Sequence, residues 1–235
     1  MKQTRNGIFE TNSSSTHCLV VHKNPTKKDY DKEHYLGMGY FQFGREESDL
    51  VESWTRKLAY AWLIVRDLSG WKENKIGKTI KDFENIVFEI SKPFYMPLDN
   101  DYNIHNGLTE NNLKKFFENL EELYSKDYSI WVDHTEDYLD NGVYEKLVTD
   151  PDFVKRLVYD EQSYITVGGD EYRGYSLKTI GFQRDYKEGY NDDYKYEEDE
   201  NGWPIYVDPC DRYIGKFWDK VKQYKKKFEV YFKGN

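Results

Sequence analysis

Residues 48–68 place Leu50, Val51, Trp54, Leu58, Ala61, Trp62 and Val65 at helical spacing, with Ser48 and Asp49 before them and Gly70 after. Apolar side chains at that spacing share one face of an α-helix, and such a face must be covered by other elements. The stripe Leu50, Trp54, Leu58, Trp62 therefore reads as core rather than as a platform for stacked bases. A second stripe, Ile76, Ile80, Phe83, Val87 and Ile90, predicts a helix over about 73–91, ended by Pro93. Thr109 caps a third, with Leu113, Phe116, Phe117, Leu120 and Leu123 on one face. Shorter helices are expected over 142–148 and, after Pro151, over 152–158.

Strand-like segments flank this helical middle. RNGIFE (5–10), CLVVH (18–22) and GYFQFG (39–44) precede most of it; YSIWVDH (128–134) and SYITVGG (163–169) are central. SLKTIGF (176–182) and Phe228, Val230 and Phe232 follow. Their β-branched and aromatic content suits strands. The expected fold is α+β, a single domain over residues 1–235. A mixed or antiparallel sheet from N-terminal, central and C-terminal strands packs on the helical middle. Residues 93–107 read as irregular, and His34 and His105 fall in expected surface loops. Residues 185–201 alternate acid and Tyr with little else apolar, which predicts a long loop or mobile insertion.

With only 38% hydrophobic residues but 17% aromatic ones, the core must lean on Tyr, Trp and Phe. The net charge of −9 disfavours general coating of nucleic acid, which needs a basic footprint, but suits a basic protein groove. No apolar run approaches the roughly 18 residues of a membrane span. The N-terminus MKQTRNGIFE lacks a signal-peptide core. Cys18 and Cys210 make neither a disulfide framework nor a Cys-x-x-Cys zinc pair. These features predict a soluble protein of a reducing compartment, with no membrane partner.

Eight polar residues, Glu10 to His17 (ETNSSSTH), lie between Ile8-Phe9 and Cys18-Leu19-Val20-Val21. The pattern R-x-G-x-F-E-T-N-S-S-S-x-H, here Arg5, Gly7, Phe9, Glu10, Thr11, Asn12, Ser13, Ser14, Ser15 and His17, resembles the N-terminal signature of a family of uncharacterised proteins. Most members come from bacteriophages of Gram-positive hosts, and many have Ser where this chain has Cys18. WVDHTE (131–136) and ITVGGDE (165–171) resemble shorter elements of the same family. The resemblance implies a phage protein working in the cytoplasm of a bacterial host, in host takeover or counter-defence.

Two readings of the polar loop fit its chemistry. In the first it is a site for an anion, a nucleotide or phosphoester. Thr11, Asn12, Ser13, Ser14 and Ser15 supply donors, Arg5 a bidentate contact, and Glu10 and His17 proton transfer. Asp133 and His134, at the end of an expected strand, are further catalytic candidates. In the second, the hydroxyls bond inward and stabilise the loop itself. His17 and Cys18 are neighbours on a strand and point to opposite faces, so they form no dyad. His17, Asp133, His134, Asp170 and Glu171 carry no metal-ligand spacing, and Gly168-Gly169 belongs to no phosphate-binding motif; neither a metal site nor a cofactor is assigned. The function expected is a phage accessory protein with an anion-handling loop, whether enzyme or binder. The alternative is a non-enzymatic acidic inhibitor of a host defence protein. It would mimic nucleic acid through Asp192, Asp193, Tyr194, Tyr196, Glu197, Glu198 and Asp199.

Overall fold

A computed structural model describes residues 16–30, 33–37, 41–43, 49–71, 74–126, 130–132, 135, 137–168, 197–198, 204–205 and 226–233. In chain order the elements are β1 (Thr16–His22), β2 (Gln42–Phe43), β3 (Asp49–Val51), α1 (Trp54–Leu68), α2 (Ile80–Ser91), α3 (Asp101–Asn106) and α4 (Glu110–Ser125). They continue with β4 (Trp131–Val132), α5 (Asp137–Asp140), α6 (Val143–Thr149), α7 (Pro151–Tyr159), β5 (Tyr164–Gly168), β6 (Glu197–Glu198), β7 (Pro204–Ile205) and β8 (Phe228–Lys233). The class is α+β. Strands from the two ends and the centre of the chain form an antiparallel four-stranded sheet in the order β3-β5-β1-β8.

β1 is, with β5, one of the two inner strands, and its side chains alternate between two environments as a period of two demands. Leu19 and Val21 join the main core, whereas Cys18 and Val20 join Phe228, Tyr164 and Val230 in a second cluster on the other face. His17 and Cys18 thus face opposite ways, as expected of adjacent strand residues. Burial pushes the Cys18 thiol up to about 12, which leaves it unreactive as a nucleophile.

α1 is buried nearly all round: Leu58 through Val65 are fully covered. It packs against α2, α6, α7 and β4. Its first turns differ from the expectation of a helix from Ser48. Asp49, Leu50 and Val51 instead pair with Val167, Thr166 and Ile165 of β5, and the helix begins after Ser53, whose backbone is extended. The apolar spacing of Leu50 and Val51 fits either period, and a strand partner more than a hundred residues away decides it.

α2 likewise starts at Ile80 rather than near 73. Gly77 lies at φ 68°, in the left-handed region that a helix cannot contain. The Asp82 carboxylate accepts the Thr79 N–H at 2.8 Å, closing the new N-terminus. Thr109 does cap α4, its hydroxyl accepting the Asn112 N–H at 3.1 Å. The 93–107 stretch is more ordered than its composition suggests. It contains a 3₁₀ turn at Lys92–Phe94 and α3, capped by Asn100, whose side chain accepts the Asn103 N–H. Gly107 is required there, because a Cβ would come within 2.7 Å of the Asn103 carbonyl oxygen. No helix among the described residues is long and apolar enough to cross a membrane.

Candidate functional site

The turn between α7 and β5, Asp160 to Ser163, separates two groups of polar side chains. Lys57 anchors it from α1. Its ammonium, on a side chain only 1% exposed, donates to the Asp160 carbonyl at 2.7 Å and the Ser163 carbonyl at 2.8 Å. A lysine in the middle of an otherwise apolar helix face is thereby satisfied.

On one side of the turn lies a cleft of about 280 Å³, lined by Glu33, His34, Glu52, Ser53, Trp54, Lys57, Tyr159 and Glu161. Three chain segments build it. Residues 33–37 are held against 106–108 by backbone bonds: Leu108 N–H donates to the His34 carbonyl and Leu36 N–H to the Asn106 carbonyl. α1 supplies Trp54 and Lys57, and the end of α7 supplies Tyr159. Trp54 stacks on Tyr159 with ring centroids 5.4 Å apart at 25°. Tyr159 is itself fixed by its hydroxyl, 2.5 Å from Ser91 Oγ.

His34 was expected in a surface loop, yet it is 4% exposed, boxed by Trp54, Phe94 and Tyr159 at 5.0–5.5 Å between ring centroids. Its Nε2 is buried without a hydrogen-bond partner among the described residues. Burial is the main cause that pushes its pKa from 6.5 down to about 4; the Lys57 ammonium adds to this and Glu161 opposes it. The folded protein therefore holds this imidazole neutral at pH 7.

The sign of the resulting pH effect is fixed. The unfolded chain takes up the proton near pH 6.5 and the folded chain only near pH 4. The stabilisation is complete above pH 6.5 and is lost as pH falls towards 4, by about 2 kcal/mol at pH 4.5. Urea unfolding at pH 7 and pH 4.5 measures it. The drop should be smaller by that amount in His34→Phe, and an equal drop in both proteins would refute the assignment.

On the other side of the turn, His22, Asp29 and Asp160 converge. His22 Nδ1 is 2.8 Å from Asp160 Oδ2, in a pair 6% and 0% exposed. The second Asp160 oxygen accepts the Gln162 N–H at 2.8 Å. Asp29 accepts the Thr26 N–H at 2.6 Å and the Thr26 hydroxyl at 2.8 Å, and it also accepts from Gln162 Nε2. The Thr26 bonds, with that of Gln162, hold the Asp29 carboxyl below its ordinary range.

Of the candidate site residues in the polar loop, His17 alone lies within the described residues. It is fully buried, with Nδ1 2.5 Å from the Tyr60 hydroxyl, which is 2.5 Å from that of Tyr138. The strand that follows the signature is thus tied through α1 to the segment that follows His134. Arg5, Glu10, Thr11, Asn12, Ser13, Ser14, Ser15, Asp133, His134, Asp170, Glu171, Asp192, Asp193, Tyr194, Tyr196 and Asp199 lie outside the described residues. So does the expected 176–182 strand. Glu197 and Glu198 form β6, whose backbone pairs with β7.

Sequence reasoning missed His22, Asp29, His34, Lys57 and Asp160. One signal was legible: Lys57 sits beside Leu58 in a helix otherwise apolar from Leu58 to Val65. Comparison of the chain with protein-family models, curated proteins and solved structures yields no match.

Proposed function

We propose that this protein is an acidic binding protein that takes a cationic group of a basic partner, an arginine side chain above all, into the cleft beside His34. The observation that carries this reading is the lining of the cleft. Among the described residues, three carboxylates, Glu33, Glu52 and Glu161, and a single ammonium, Lys57, line it together with the stacked pair Trp54–Tyr159. Lys57 and the N-terminus of α1 offset part of the negative charge, but the formal balance remains −2. Carboxylates at the rim steer a cation inward, and an aromatic face favours a guanidinium. The neutral His34 ring costs a cation nothing in repulsion. The same neighbourhood already holds a cation over aromatic faces: Lys155 Nζ lies 5.0 Å from the Tyr30 ring centroid and 5.6 Å from that of Phe94. The overall charge of −9 agrees with a basic partner. A phage setting, with a host defence protein as that partner, rests on the N-terminal resemblance alone.

Calorimetry with a short arginine peptide and its citrulline counterpart tests the proposal, since citrulline keeps the shape and loses the charge. The arginine peptide should bind, with affinity falling as salt rises, and the citrulline peptide should bind at least about tenfold more weakly. Combined Glu33→Gln, Glu52→Gln and Glu161→Gln should reduce arginine-peptide binding by a similar factor. Reversing Asp192, Asp193, Glu197, Glu198 and Asp199 should leave it unchanged. The opposite pattern would move recognition to the acidic-Tyr run, and equal binding of both peptides would sink the charge argument.

A further inference from the structure

The three side chains His22, Asp29 and Asp160 offer one imidazole nitrogen and two carboxylate oxygens that all lie within 4.8 Å of one another. We infer that this cluster is a binding site for a divalent transition-metal ion, of which Zn²⁺ is the representative.

The arrangement asks for a cation. Asp160 is fully buried and already has His22 as its partner, yet a second carboxylate, Asp29, is held against the pair. Two acidic side chains thus meet a single imidazole around one point, with one ligand atom from each. The fold fixes both carboxylates. Thr26 clamps Asp29 by its N–H and hydroxyl, the Gln162 N–H clamps Asp160, and the Gln162 amide reaches Asp29. The His22 backbone is set in turn by the Ser163 hydroxyl, which accepts its N–H at 3.0 Å. Hydrogen bonds of this kind to the outer lone pairs are what orient the ligands of a metal.

The neighbouring cations are directed elsewhere. Arg156 Nη1 donates to the His22 carbonyl at 3.0 Å and to Glu229 at 2.8 Å, while Lys57 donates to the Asp160 and Ser163 carbonyls. Their charges lower the affinity for a metal without taking its position. One nitrogen with two oxygens suits Zn²⁺ better than Mg²⁺, which prefers an all-oxygen shell with several waters. Asp29 is half-buried, whereas His22 and Asp160 are covered, so the coordination position left over faces the Asp29 side. The ion would join β1, the 3₁₀ turn at Lys27–Tyr30 and the α7–β5 turn, the last of which also carries Glu161 of the cleft.

The test uses the full chain, stripped with a chelator and dialysed into metal-free buffer. Zn²⁺ titrated by calorimetry should bind at one site per chain and raise the thermal midpoint, while Mg²⁺ at the same concentration should do neither. Asp29→Asn removes a half-buried ligand and should fold normally; its Zn²⁺ affinity should fall about tenfold or more. His22→Gln provides a second ligand deletion. Zn²⁺ binding of unchanged affinity in Asp29→Asn would place the ion elsewhere and overturn the site. Failure of the parent protein to bind Zn²⁺ would overturn it as well, and Mg²⁺ binding as strong as Zn²⁺ would overturn the metal class.

Discussion

Trp62→Ala is expected to cost about 3–5 kcal/mol, lowering the thermal midpoint by roughly 10 °C. Trp62 is the largest fully buried side chain among the described residues, enclosed in α1 against the helices that follow. Its ring meets Tyr124 edge-on at 6.1 Å, and its Nε1 donates to Glu84 at 3.0 Å. Alanine leaves a cavity that the surrounding helices cannot close, and it strands the half-buried Glu84 carboxylate, which burial already holds above its usual range. Trp71 provides the internal control. It is 40% exposed, so Trp71→Ala should change stability by no more than about 0.5 kcal/mol. Urea unfolding of the two variants decides the matter. Equal costs would mean that α1 is not the centre of the core.

Asp160→Ala should cost a comparable amount, about 3–5 kcal/mol, for a different reason. The variant deletes the carboxylate that faces His22 Nδ1 and leaves the Gln162 N–H without its acceptor. The penalty arises less from the lost attraction than from the polar groups abandoned in a buried place. Asp160→Asn, which keeps an acceptor of the same shape, should therefore lose less than Asp160→Ala. Unfolding measured in excess chelator reads the pair without any bound ion. A cost below about 1 kcal/mol for Asp160→Ala would show that water reaches the pair and that it does not hold the turn.

Much of the architecture could be read from the chain because its signals are local. The α4 stripe and its Thr109 cap lie within fifteen residues of each other, and α7 follows directly from Pro151 and its periodic Phe153, Val154, Leu157 and Val158. The β-branched and aromatic content of β1, β5 and β8 marked them as strands. The failures share a cause. Leu50 and Val51 fit a helix and a strand equally, and β5 settles the question from residues 165–167. His34 looked like a loop residue because nothing adjacent to it is strongly apolar. The rings that bury it come from Trp54, Phe94 and Tyr159, which are remote in the chain. The sites were less legible still, since Lys57, Asp160, His22 and Asp29 form no motif.

By itself, the sequence determined the fold class, the helical middle, the main strands and the dependence on aromatic packing. These follow from periodicity and composition, which act over one element at a time. Only the tertiary structure decided which polar residues are buried and what they face. It turned His17 inward to Tyr60, made His34 a neutral lining of an acidic cleft, and set two aspartates against one histidine. Burial and charge proximity depend on chain crossings between residues as far apart as 22 and 160, and no local pattern encodes those distances.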